Sequence, residues 1–158
     1  MDDKAALSAL FAKLGAPNPE NWANSQIQED IPQLHRFLFL RQAWKNIVHN
    51  GDTAWMSRAL TTPPHGPGGA IAPALRRLLD LGCDAGDLTT VVRTLQWQLL
   101  FRLCYLLDDP DLEGEDKSVD DLAWGLFEVD ADGRPGRAVN GLHESVLETD
   151  PEGKEMCG

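Results

Sequence analysis

Apolar residues recur at three- and four-residue spacing through most of the first 107 positions, with glycine or proline breaking the rhythm. Leu7, Leu10, Phe11 and Leu14 predict a helix that Gly15 and Pro17 end. Asn18-Pro19 reads as an N-cap followed by proline at the first helical position, opening a short helix through Trp22 towards Gln28. Asp30-Ile31-Pro32-Gln33 is a variant capping box, and the helix behind it is expected to run to about Val48. Its apolar positions Leu34, Phe37, Leu38, Leu40, Trp44, Ile47 and Val48 cover a broad face, which predicts packing on more than one side. Asn50-Gly51 stops it, and Asp52 can cap a short helix from about Trp55 to Leu60.

The segment Thr61 to Gly69 (Thr-Thr-Pro-Pro-His-Gly-Pro-Gly-Gly) suits neither a helix nor a ladder strand and predicts a surface loop. A helix through Leu75, Leu78 and Leu79 follows and ends at Gly82. Asp84 or Asp87 then caps the most hydrophobic element of the chain, from about Leu88 to Leu107. Leu88, Val91, Val92, Leu95, Leu99, Leu103 and Leu106 form one stripe, which Trp97, Phe101, Cys104 and Tyr105 widen, so this helix is expected at the centre of a bundle. The strings ending at Gly15 and Gly82 echo one another, each leading into a longer hydrophobic helix, as any helical chain with glycine stops would show.

The pattern changes near the C-terminus. Trp124 to Val129 is rich in aromatic and β-branched residues, Asp130 to Gly136 is dense in turn formers, and Arg137-Ala138-Val139 follows. This is a β-hairpin signal, and Asn140 can cap a last short helix through Leu142, Val146 and Leu147. An isolated two-stranded ribbon is marginal, so it is expected to dock on the bundle through Trp124 or Phe127. The fold class is therefore mainly α, a bundle of about five to six helices with a small C-terminal hairpin. At 158 residues a single domain is expected, with 1–107 as the bundle, 108–121 as a connector, and 122–158 as hairpin and short helix.

Charge divides the chain at the same place. Residues 1–107 carry 10 Lys+Arg against 9 Asp+Glu, whereas residues 108–158 carry 4 against 16, a net of −12. A sequence pI near 4.6 disfavours nucleic acid as a partner, because phosphate binding needs Lys and Arg. Cys83, Cys104 and Cys157 are widely spaced without a C-x-x-C pair, which points away from a disulfide framework or zinc site and towards a reducing compartment. The acidic N-terminus lacks the pattern of a secretory signal, and Arg93, Gln96, Gln98 and Arg102 interrupt the longest apolar run. A soluble cytoplasmic protein without cofactor or metal is the expectation.

Two sets of residues are candidates for function. Asp108, Asp109, Asp111, Glu113, Glu115, Asp116, Asp120 and Asp121 can form an acidic face for a basic protein, since dense charge raises association rates and enforces partner choice. A solvated loop is the plainer reading, and the order of these acids matches no EF-hand. Gln96, Gln98 and Arg102 on the hydrophobic helix, with Trp44, can line a ligand pocket, or can satisfy each other and nearby carboxylates. One such pairing would join Arg102 to an acid in 108–121. His143-Glu144-Ser145 contains three catalytic residue types, but neighbours on a helix point in different directions. No G-x-S-x-G, Walker A, H-E-x-x-H or G-x-G-x-x-G motif occurs.

The strings Trp22-Ala23-Asn24-Ser25-Gln26-Ile27-Gln28-Glu29-Asp30-Ile31-Pro32-Gln33-Leu34 and Gly141-Leu142-His143-Glu144-Ser145-Val146-Leu147, with the Trp124–Val129 strand between them, resemble small uncharacterised bacterial cytosolic proteins. The resemblance implies a bacterial cytosolic source and no particular chemistry. In class, an acidic helical chain without catalytic motifs is also similar to immunity proteins that neutralise toxins. The leading expectation is a non-enzymatic interaction protein that presents an acidic face to a basic partner. The alternative is a small-molecule-binding or enzymatic helical domain.

Overall fold

The helical rhythm of the first 107 residues is realised as six helices: α1 (Asp3–Leu14), α2 (Pro19–Gln28), α3 (Gln33–Trp44), α4 (Ala54–Leu60), α5 (Ile71–Asp80) and α6 (Ala85–Asp108). Strands β1 (Phe127–Val129) and β2 (Pro135–Ala138) pair antiparallel, and a four-residue helix, α7 (Leu142–Ser145), follows. The computed structural model describes residues 3–109 and 122–155. Among the described residues no helix is long and apolar enough to cross a membrane.

Several predicted caps are made differently. Asn18 and Asp30 both adopt the left-handed conformation, with φ of 47° and 55°, and neither α2 nor α3 has a side-chain cap hydrogen bond. These two residues turn the chain rather than cap it, a use open to Asn and Asp because their short polar side chains tolerate positive φ. Helix α3 stops at Trp44, short of Val48. Gly141, not Asn140, precedes α7. By contrast Asp84 Oδ1 accepts the N–H groups of Gly86 (2.8 Å) and Asp87 (3.0 Å), so it is Asp84 that caps α6.

Backbone proximity divides the chain into two units, residues 1–45 with 99–158, and residues 46–98. In the first, α2 packs on α1 and α3, and α7 packs on α3. Its core is an aromatic triad of Phe11, Trp22 and Phe37, with ring centroids 5.6–5.9 Å apart and two of the three pairs edge-to-face. Leu7, Leu14, Ala16, Ala23 and Leu34 complete it. Each such aromatic ring contributes roughly 1.5–3 kcal/mol by leaving water. Trp44 is also buried, and its indole N–H donates to the Val146 carbonyl at 2.9 Å.

The hairpin belongs to the same unit, but neither predicted ring anchors it by burial. Phe127 and Trp124 are both exposed, although the Trp124 indole N–H donates to the Leu106 carbonyl at 2.8 Å. The hold comes instead from Arg137, which bonds Glu128 (2.8 Å) and reaches Asp30 Oδ1 (2.7 Å), and from Val139, which is buried.

In the second unit α4 packs on α5 around Met56, Ala59 and Leu75, with Trp55, Leu60, Leu79, Ala85 and Leu88 alongside. The opening half of α6 turns a polar face inward. Arg93 donates to the Val48 carbonyl at 3.0 Å, while Gln96 Oε1 accepts the Val48 N–H at 2.8 Å. Thr89 accepts the Trp55 indole N–H at 3.0 Å. The leucine stripe is not where the pattern put it. Val91, Leu95, Leu99, Leu103 and Leu106 are all exposed, while Thr89, Arg93 and Cys104 are buried.

Candidate functional site

Helix α3 presents Gln33, Arg36, Phe37, Leu40 and Trp44 on its buried face. Phe37, Leu40 and Trp44 fill apolar core, so the two polar members of that face need partners of their own. Gln33 Nε2 donates to Ser25 Oγ on α2 at 2.7 Å. Arg36 Nη1 makes one long bond, 3.5 Å, to Ser145 Oγ on α7. Three buried polar atoms are left without a partner here: Trp22 Nε1, Gln33 Oε1 and Arg36 Nε. Their residues are only 4%, 6% and 7% exposed.

Trp22, Gln33 and Arg36 all line one cavity of about 340 Å³, which Asn21, Ser25, Glu144, Ser145 and Glu148 complete, although the three unpartnered atoms themselves are buried. Among the described residues no carboxylate lies within ion-pair distance of Arg36. Burial pushes the Arg36 guanidinium below its ordinary value, an effect that Glu144, Asp108, Glu29 and Glu148 oppose from farther away. Burial likewise pushes the Glu148 carboxyl up, against the pull of Arg36. The residues around this one small space thus include a cation, two carboxylates and an indole donor, with no ion pair between them among the described residues. Gly141 makes room for the cation: a Cβ there would overlap the Arg36 guanidinium, and its φ of 69° already favours glycine.

A larger cavity of about 670 Å³ lies between the Gly15–Asn18 turn and residues 148–153, and shares Glu148 as a lining residue. Of its polar side chains, Asp150 is engaged. Asp150 accepts the N–H groups of Glu152, Lys154 and Glu155. Volume alone does not make it the better site; among the described residues, three of the five unpaired buried polar atoms are around Arg36, the others being Trp97 Nε1 and Asp108 Oδ1.

The residues singled out from sequence are dispersed. Asp108 is turned inward, its side chain 5% exposed, with Oδ2 accepting the His143 backbone N–H at 2.9 Å and 2.5 Å from His143 Nδ1. Asp109 is exposed, and Asp111, Glu113, Glu115, Asp116, Asp120 and Asp121 lie outside the described residues. Asp108, the first acid of that set, is bonded to His143, whereas Arg102 is exposed and makes no ion pair among the described residues. Gln96 bonds the Val48 backbone, Gln98 is exposed, and Trp44 is committed to Val146. His143, Glu144 and Ser145 diverge, the first to Asp108 and the other two to the Arg36 cavity.

Among the described residues no group of three or more His, Cys, Asp or Glu side chains could hold a metal. Burial, with Asp108 adding to it, pushes the Cys104 thiol up to about 12, so it is no nucleophile. The sequence reading missed Arg36, Gln33, Trp22 and Glu148. The signal was present in α3, where Gln33 and Arg36 fall on the same 3.6-residue repeat as Phe37, Leu40 and Trp44. Comparison of the chain with protein-family models, curated proteins and solved structures finds no match.

Proposed function

We propose that this chain is a small-molecule-binding helical protein whose Arg36 cavity takes a small zwitterion, a molecule carrying a carboxylate and a cationic amine. The observation that carries the proposal is the set of unpartnered atoms on Trp22, Gln33 and Arg36 around one 340 Å³ space. An unpaired buried guanidinium costs several kcal/mol, and a ligand carboxylate bonded to Arg36 Nε and Trp22 Nε1 would satisfy both donors. Gln33 Oε1, Glu144 and Glu148 supply acceptors for an ammonium group. A dianion such as phosphate suits the site poorly, since two glutamates stand against one arginine. The cavity volume is at the small end for ligand sites, which fits an amino acid or a compound of that size.

A second reading keeps the acidic interaction protein, which draws on the net −12 of residues 108–158. Asp108 and Asp150 within that set are engaged in internal bonds.

A thermal-shift panel of amino carboxylates, with matched acids lacking the amine and amines lacking the carboxylate, tests the proposal on the native chain and on Arg36→Met. A ligand that prefers the native state raises its stability. Only zwitterions should shift the native protein, and none should shift Arg36→Met. No shift with any amino carboxylate, or an equal shift in Arg36→Met, would overturn it.

A further inference from the structure

The segments that line the Arg36 cavity also line the larger one, at neighbouring positions. On α3, Arg36 borders the small cavity, while Phe37 and Arg41 border the large one. Asn21 and Asn18 divide the same way at the start of α2, as do Ser145 and Thr149 in and after α7. Glu148 belongs to both walls. The rings of Trp22, on the small cavity, and Phe37, on the large one, meet edge-on with centroids 5.6 Å apart. All of these residues lie within the first unit of the chain, so the two spaces are neighbours inside one compact body.

Their linings differ. The small cavity is polar, whereas Leu14, Pro17, Phe37 and Pro151 give the large one a mainly apolar wall around about 670 Å³. Both carboxylate oxygens of Asp150 accept backbone N–H groups of its own loop. Arg41 makes no ion pair among the described residues, but Glu148, Asp150 and Glu152 outnumber it around this space. A second carboxylate would therefore gain little there. An apolar group would gain the full benefit of leaving water.

We infer that the two cavities act as one site for an amino carboxylate with a long, uncharged apolar side chain. The charged head sits at Arg36, and the side chain runs past Glu148 into the larger cavity. This rests on the zwitterion reading of the Arg36 cavity and names the class of zwitterion. Glu148 suits the junction, because the ammonium it accepts from is carried by the same carbon that bears the side chain. A short amino carboxylate would fill only the polar end, whereas a long one would exclude water from both spaces, as ligand sites do.

Calorimetric titration of the full chain with alanine, aminobutyrate, norvaline, norleucine and lysine tests it. Affinity should rise about fourfold with each methylene from alanine to norleucine, the value of one buried methylene. Lysine, the norleucine chain with a terminal ammonium, should bind more weakly than norleucine. The rise with length should disappear in Pro151→Trp, which narrows the larger cavity at an exposed position and keeps Arg36, Trp22 and Gln33 in place. An affinity independent of side-chain length, lysine binding more tightly than norleucine, or the same rise in Pro151→Trp would overturn this inference and leave the Arg36 reading standing. Binding of none of the five, or equal binding to Arg36→Met, would overturn that reading and this inference with it.

Discussion

Asp108 holds His143 twice: one carboxylate oxygen accepts the His143 backbone N–H at 2.9 Å and lies 2.5 Å from the ring Nδ1 of the same residue. The ring of His143 in turn packs edge-on against Tyr105, with centroids 5.0 Å apart. The first residue of the acidic run is therefore a structural clasp between the end of α6 and α7. Asp108→Ala should cost about 1–3 kcal/mol, because it leaves a partly buried N–H without its acceptor. Urea denaturation read by tryptophan fluorescence checks this, and an unchanged midpoint would show that the clasp does not contribute.

The aromatic triad predicts a larger loss. Phe37 is buried between Phe11 and Trp22, and Phe37→Ala should cost about 3–5 kcal/mol through lost transfer energy and the cavity left behind. Phe37→Leu should cost less, since it keeps more of the volume. Equilibrium unfolding of both variants gives the comparison.

Two glutamates should pull the pH dependence of stability in opposite directions. Hydrogen bonding from Arg137 holds the Glu128 carboxyl below its ordinary value. Its folded-state pKa is therefore depressed, and the stability it contributes is present above the ordinary glutamate pKa and lost as pH falls through the folded value. Glu148 is raised by burial, so its charged form weakens the fold at neutral pH, and that penalty is relieved as pH falls. Glu128→Gln should lower stability at neutral pH, and Glu148→Gln should raise it. Both differences should shrink in acid, as melting curves across that range would record.

The thiols give a simple check on burial. Cys104 is fully buried with its thiol pushed up to about 12, and Cys83 is exposed. In a Cys157→Ser background, a thiol reagent should modify Cys83 promptly and Cys104 only on unfolding. Prompt modification of both would contradict the placement of α6.

Much of the fold was legible because its boundaries are written in proline, glycine and aspartate. Pro19 opens α2, Gly82 ends the α5 segment, and Asp84 caps α6 where the spacing put a cap. The roles of Asn18 and Asp30 were not legible, since the same residue types serve both side-chain caps and left-handed turns, and tertiary packing decides between them. The leucine stripe of α6 was visible as a stripe, but its direction was not. Arg93 and Gln96 face inward because the Val48 peptide offers them both a carbonyl and an N–H, a pairing across 45 and 48 residues that periodicity cannot show. The Arg36 cavity was half legible. The polar residues on the buried face of α3 could be read from spacing, while Glu144 and Glu148 reach it from more than a hundred residues away.

Arg36 itself separates a functional residue from a structural one. Arg36→Met keeps most of the side-chain volume and removes a buried cation that has no ion-pair partner among the described residues. It should stabilise the empty protein by about 1 kcal/mol or more. A melting temperature lowered by that substitution would assign Arg36 to the fold instead.

Binding of a small zwitterion in the Arg36 cavity is read out at the indole of Trp22. The five tryptophans give five indole N–H resonances, and Trp22→Phe identifies the one that matters. Titration with an amino carboxylate that stabilises the protein should move the Trp22 indole resonance saturably, as its unpartnered Nε1–H gains a carboxylate acceptor, and should leave it unmoved in Arg36→Met. A Trp22 resonance that stays fixed in the native protein while that ligand binds would contradict the account.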